Sequence, residues 1–132
     1  MKYRNIYEAD GEDLERHDDE RGMIADIFYN KNINHVAVVK THGPAVRGNH
    51  YHKNTTQHIL MTSGTMRYWW RHIDSDEWHC FDVLPGNLIT TPPNEVHTLV
   101  YTEPGEFVVF SEGKRGGKDY ESDTFRVEPL DV

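Results

Sequence analysis

The sequence predicts an all-β protein, a sandwich or barrel. Two observations carry this. From Met23 onward, short segments rich in β-branched and aromatic residues recur, and Gly, Pro, Asn and Asp punctuate them at intervals of roughly 8 to 12 residues. No stretch of about 12 residues carries a helical stripe, so crossover helices over a parallel sheet are not expected.

In chain order, residues 8–22, "EADGEDLERHDDERG", are charged and lack clean periodicity, and read as a solvated surface segment with room for one short turn of helix. Strand-like segments follow at "MIADIFYN" (23–30), "HVAVVK" (35–40), around His50 and His52, and at "QHILMTSG" (57–64). They continue through "TMRYWWRHI" (65–73), "EWHCFDV" (77–83), "NLITT" (87–91), "HTLVYT" (97–102) and "EFVVFSEG" (106–113). Turn signals stand between them at "LPGN" (84–87), "TPPNE" (91–95) and "EPGE" (103–106), where proline presets φ and glycine or asparagine accepts the left-handed position. The last stretch is Gly-rich and charged, and reads as an extended segment along the barrel exterior or to a partner subunit; its "GKRGG" (113–117) lacks the context of a phosphate loop and reads as a turn. The expected organisation is a charged arm over 1–22, a barrel over 23–112 and a tail over 113–132.

A length of 132 residues with 36% hydrophobic and 11% aromatic residues suffices for one compact core. With 22 acidic against 14 basic residues, the formal charge of −8 opposes nucleic acid or an anionic membrane as the main partner. No apolar run approaches the ~20 residues of a membrane span, and the acidic, polar N-terminus is unlike a signal peptide, so a cytoplasmic location is expected. The single Cys80 excludes an internal disulfide and a thiolate cluster for zinc. Any bound metal must be held by nitrogen and oxygen.

The stretch "RGNHYHKNTTQ" (47–57) places His50 and His52 on alternate positions. Side chains alternate along a strand, so both imidazoles share a face, about 7 Å apart, and can close on one ion by modest rotation. Gln57 opens the next strand and shares a face with Ile59 and Met61, while His58 points the other way. A second block, Pro85-Gly86 to Pro92, Asn94 and His97, lies downstream. Together the blocks read G-N-H-x-H-x4-Q-x6-G (48–64) and P-G-x5-P-x-N-x2-H (85–97).

These two blocks resemble the two-motif signature of the cupin superfamily. The resemblance implies a single-domain jelly-roll β-barrel with a divalent metal ion (zinc, iron, nickel or manganese) held by His50, His52, Gln57 and His97. Gln57 stands where the usual ligand is Glu, so the donor set is neutral, which favours a Lewis-acid role over the two-His-one-carboxylate iron of oxygenases. Asn94 replaces a common Gly and tolerates the left-handed conformation. His17, His35, His42, His72 and His79 belong to neither block and read as surface residues.

"DDERGMIADIF" (18–28) and "VRGNHYHK" (46–53) resemble the corresponding segments of cupins acting on nucleotide sugars: the dTDP-sugar 3,5-epimerases, the dTDP-4-keto-6-deoxyglucose 3,4-ketoisomerases, and the C-terminal cupin of capsular-polysaccharide epimerase-reductases. "KDYESDTF" (118–125) resembles the tail some of them carry. The resemblance implies an isomerase or epimerase of a keto-sugar, nucleotide-linked, working by proton transfer next to a carbonyl. By position, His50 matches the family's base and also its first metal ligand, and Arg47 matches an arginine contacting sugar or phosphate. One imidazole nitrogen cannot do both, so with metal bound another group must move the proton; Tyr101, on the strand face of His97, is the candidate. Tyr68, Trp70 and His72 share one face of their strand, and Tyr68 and Trp70 are candidates to stack on a sugar or base ring, although a plain core explains the same pattern. Alternatives are a uronate-isomerising cupin, which has the same ligand set, a cupin dioxygenase, and a non-catalytic sugar-binding cupin. A homodimer is expected, with the N-terminal segment covering an exposed sheet edge.

Overall fold

The structure is a computed structural model and describes residues 1–8, 14–113 and 122–131. Its strands in chain order are β1 (Lys2–Asn5), β2 (Arg16–Asp19), β3 (Gly22–Ala25), β4 (His35–Thr41), β5 (Ala45–Tyr51), β6 (Thr56–Ser63), β7 (Met66–His72), β8 (His79–Val83), β9 (Asn87–Thr91), β10 (Glu95–Tyr101), β11 (Gly105–Glu112) and β12 (Phe125–Arg126). Two five-stranded antiparallel sheets, β1-β9-β6-β11-β4 and β12-β5-β10-β7-β8, form the all-β jelly-roll barrel that the sequence predicts.

Alternation places the core between the sheets. Ile59, Met61, Ile89, Phe107 and Val109 from the first sheet meet Met66, Tyr68, Val83, Leu99 and Tyr101 from the second. The intervening positions on β4, Val36 and Val38, face outward and are more than half exposed. Turn chemistry follows the sequence: Gly86 has φ +91° after Pro85, and Asn87 N–H donates to the Leu84 carbonyl at 3.0 Å. Asn94 likewise takes φ +65°.

The N-terminal part departs from its sequence reading. Residues 16–25 form a two-stranded hairpin, β2–β3, where the expectation over 8–22 was a solvated surface segment with room for a short turn of helix. The reason is local: the Asp19 carboxylate accepts from the Arg21 amide at 2.8 Å, and Gly22, at φ +147°, opens the return strand. The strand expected over 23–30 ends at Ala25. Beyond it, Arg4 donates to the carbonyls of Asp26 and Ile27, and Ile27 and Phe28 pack on the outer side of the first sheet against Leu60, Leu88 and Phe110. Of the tail, Phe125 and Arg126 pair with β5; residues 114–121, with most of "GKRGG" and half of "KDYESDTF", lie outside the described residues. Among the described residues, no helix is long and apolar enough to cross a membrane.

The inward and outward positions make a matched test. Val109 is 3% exposed and Val38 58%. Val109→Ala should cost about 2 kcal/mol in chemical denaturation, and Val38→Ala below about 0.5 kcal/mol. Equal costs would contradict the strand registers described.

Candidate metal centre

The site is assembled by the pairing of β5 with β10. His50 lies directly opposite His97, and the register then shifts between His97 and Thr98. The shift is accommodated by two consecutive left-handed residues, Gly48 at φ +92° and Asn49 at φ +56°. Gly48 is required there, because a Cβ would stand 2.6 Å from the His97 carbonyl oxygen. At the other end, Asn94 N–H donates to the His52 carbonyl at 2.7 Å, so the two sequence blocks are joined by the backbone as well as by their side chains.

Three imidazoles converge as a result. One ring nitrogen from each of His50, His52 and His97 lies within 4.8 Å of the others. The rings contact one another with centroids 4.9 Å apart for His50–His52, 4.6 Å for His50–His97 and 5.5 Å for His52–His97. His52 and His97 are buried; His50 is half-buried. The Nδ1 of His52 lies 2.8 Å from the Asp123 carbonyl oxygen, and the Nδ1 of His97 lies 3.2 Å from that of Glu95. Carbonyls only accept, so both Nδ1 atoms carry the proton and both Nε2 atoms keep the lone pair. Burial pushes the His97 imidazole well below its ordinary 6.5, and the neighbouring His50 and His52 push it further, so the ring is neutral at pH 7. Neutral imidazoles with oriented lone pairs fit a divalent metal ion.

Gln57, 7% exposed, lines a cavity of about 210 Å³ with His50, His97 and Arg47, beside an apolar wall that includes Ile59, Leu99 and Phe107. His52 stands behind that lining. The Arg47 side chain is held at the edge of the barrel: Nε donates to Thr41 Oγ1 at 2.9 Å and Nη2 to the Lys40 carbonyl at 3.0 Å. A wider groove of about 780 Å³ runs over the outer face of the first sheet and holds none of these groups.

The aromatic candidates sit elsewhere. Tyr68 has no exposed surface; its hydroxyl is held by Thr91 Oγ1 at 2.5 Å and donates to Glu95 Oε1 at 3.1 Å. Its ring lies parallel to His97, 6.3 Å away, so it buttresses the histidine from within the core. Trp70 is half-buried between Tyr68 and His79 and outside the cavity lining. Tyr101 is 2% exposed and also outside that lining. Burial pushes its hydroxyl up to about 12, against the nearby Thr41 and the Arg47 charge. Thr41 is close but already accepts from Arg47, and the Tyr101 hydroxyl has no hydrogen-bond partner in good geometry among the described residues.

His17, His42, His72 and His79 are exposed and His35 half-buried. His58 points out of the barrel, as alternation requires, and is bound by Thr90 Oγ1 at 2.8 Å and Glu112 Oε2 at 2.7 Å. Two residues given no role in the site by the sequence, Asp123 within "KDYESDTF" and Glu95 at the end of "TPPNE", supply the carbonyls that orient His52 and His97. The only signals for them were the acidic tail and a carboxylate at the head of a buried strand.

A family model described as the polysaccharide biosynthesis C-terminal domain matches residues 17–125. The chain belongs to this family. Solved structures share the fold of this polysaccharide biosynthesis C-terminal domain. The capsular polysaccharide assembling protein CapF from Staphylococcus aureus matches with TM-score 0.65 at 20% identity over 88% of this chain and 33% of that one. The sugar 3,4-ketoisomerase QdtA from Thermoanaerobacterium thermosaccharolyticum, in complex with TDP, matches with TM-score 0.69 at 18% identity over 86% and 84%. A dTDP-4-dehydrorhamnose 3,5-epimerase from Sulfolobus tokodaii matches with TM-score 0.68 at 15% identity over 83% and 70%. The chain thus spans about a third of the length of CapF. No curated protein matches it. The architecture shared with these structures is the two-sheet barrel described above.

The lowered pKa of His97 sets a direction for pH dependence. As pH falls below the ordinary 6.5, the unfolded chain takes up a proton that the folded His97 refuses. That contribution to stability is complete above pH 6.5 and is lost as pH falls towards the folded value. With chelator present, the denaturation midpoint should therefore drop from pH 7 to pH 5, and His97→Gln should show a shallower drop. An identical slope in the variant would contradict the buried, neutral state of His97.

Proposed function

We propose that this cupin is an isomerase or epimerase of a nucleotide-linked keto-sugar, moving a proton on the carbon beside the carbonyl. The observation that carries the reading is the convergence of His50, His52 and His97, two of which, His50 and His97, line a cavity with Gln57 and Arg47. In this reading the Nε2 atoms of His52 and His97 would hold a divalent ion, zinc, iron, nickel or manganese, with Gln57 adding an amide oxygen and His50 completing the set. Such an ion supplies Lewis-acid polarisation of a carbonyl oxygen.

The chain's own groups do the rest. Arg47, fixed by Thr41 and Lys40, offers its remaining donors to an anionic substrate group. The apolar wall excludes water from the reacting carbon. His50 is the most exposed of the three imidazoles and serves as the base in any state where it does not ligate. Tyr101, protonated at neutral pH and outside the cavity lining, is not the base in this scheme. Tyr68 and Trp70 act through the wall that holds His97. A homodimer and a cytoplasmic location complete the reading; the exposed Val36 and Val38 strip is a surface that a second copy would cover.

A second reading rests on cavity size. About 210 Å³ holds one ring, so a nucleotide would lie outside it, and a free uronate with its carboxylate on Arg47 fits the same space. Proton exchange in D₂O separates the two. Metal-supplied protein should place deuterium beside the carbonyl of a TDP-linked 4-keto-sugar, and Arg47→Ala should lower the rate about 10- to 100-fold. Exchange into a free unsaturated uronate alone would select the second reading, and exchange into neither substrate would contradict both.

A further inference from the structure

We propose that the C-terminal segment 122–130 is a strap that positions the metal strand, with Asp123 as the positioning residue that fixes the His52 ring. Its consequence for metal binding rests on the reading above; its effect on the ring does not. Asp123 is 2% exposed, and both its backbone and its side chain are spent on the loop that follows β5. Its carbonyl accepts from His52 Nδ1 at 2.8 Å. Its carboxylate accepts from the Lys53 amide at 3.0 Å, the Asn54 amide at 3.0 Å and the Thr55 hydroxyl at 2.7 Å. A buried carboxylate with this set of donors fixes its own backbone, so the side-chain clamp sets where the carbonyl that orients His52 stands.

The strap also grips β5 at Asn49, just before the two histidines. Val127 N–H donates to the Asn49 carbonyl at 2.9 Å, and Asn49 Oδ1 accepts from Leu130 N–H at 3.1 Å and Thr98 Oγ1 at 2.8 Å. Between the two grips, Phe125 pairs with Tyr51 and Arg126 with His50. The Phe125 ring stacks on Tyr51 at 5.4 Å and lies under the Lys53 ammonium at 4.4 Å. Without β12, β5 would be an edge strand, with His50 on it and His52 one residue beyond its end, where a sheet is most prone to fray.

The test uses the full chain with ¹⁵N-labelled histidine. On chelator-treated protein, long-range ¹H–¹⁵N correlation reads the His52 tautomer, and Co²⁺ titration against a chromophoric chelator reads affinity. The wild type should show a single Nδ1–H tautomer at His52. Asp123→Ala, folded by circular dichroism, should lose that single tautomer and weaken Co²⁺ binding about 10- to 100-fold. Asp123→Asn keeps one acceptor oxygen; it should change both readouts in the same direction by less, and it carries the test should the alanine variant not fold. An unchanged tautomer with affinity within about twofold in a folded variant would overturn the proposal. A wild type that takes up no Co²⁺, yet holds a His52 tautomer that the variant loses, would overturn the metal reading and support the strap.

Discussion

The pairing of β5 with β10, interrupted by the bulge at Gly48 and Asn49, is the constraint on which the site depends. Side chains alternate with period two, so a slip of one residue would turn His97 away from His50 and Leu99 away from the core. The bulge fixes the register by using conformations that Gly48 and Asn49 accept and bulkier residues resist. β10 is the middle strand of its sheet, paired with β5 on one side and β7 on the other, so His97 is the most firmly placed of the three imidazoles. His50 and His52 take their positions from it, through the ladder and through the Asn94–His52 hydrogen bond.

Charge explains what this arrangement favours. The chain is acidic overall, yet the polar side chains lining the cavity are imidazoles, an amide and an arginine. A divalent ion held by such a donor set would keep its full charge, and the apolar wall would limit its screening by water. Both effects favour a developing oxyanion on a substrate. Tyr68 and Glu95 show the cost of building this inside a barrel. Burial raises the Tyr68 hydroxyl well above its ordinary value, with the Glu95 carboxylate adding to the effect, and the Tyr68 ring holds His97 flat against the core.

Much of the site was legible because it is written in local spacing. His50 and His52 share a face by alternation, Gln57 opens a strand whose inward set is Ile59 and Met61, and Asn94 and Gly86 mark turns by their tolerance of positive φ. Depth along the barrel was not legible. His97 and Tyr101 share a face, but four residues of strand separate them by roughly 13 Å, so the tyrosine lies outside the cavity that the histidine lines. Likewise the alternation of Tyr68 and Trp70 gave their face but not whether that face met a ligand or the core. The link between Asp123 and His52, 71 residues apart in the chain, has no sequence signal at all. The β2–β3 hairpin was hidden because an exposed two-stranded ribbon needs no apolar pattern.

The central claim is that His50, His52, Gln57 and His97 hold a divalent metal ion. The direct measurement is the metal content of protein purified without chelator or a nickel column, beside His97→Ala. Near-stoichiometric metal in the wild type, lost in the variant, is the result this account predicts. A folded wild type that carries no metal and takes none up when supplied with zinc, iron, nickel and manganese would contradict it and return His50 to the role of a free base.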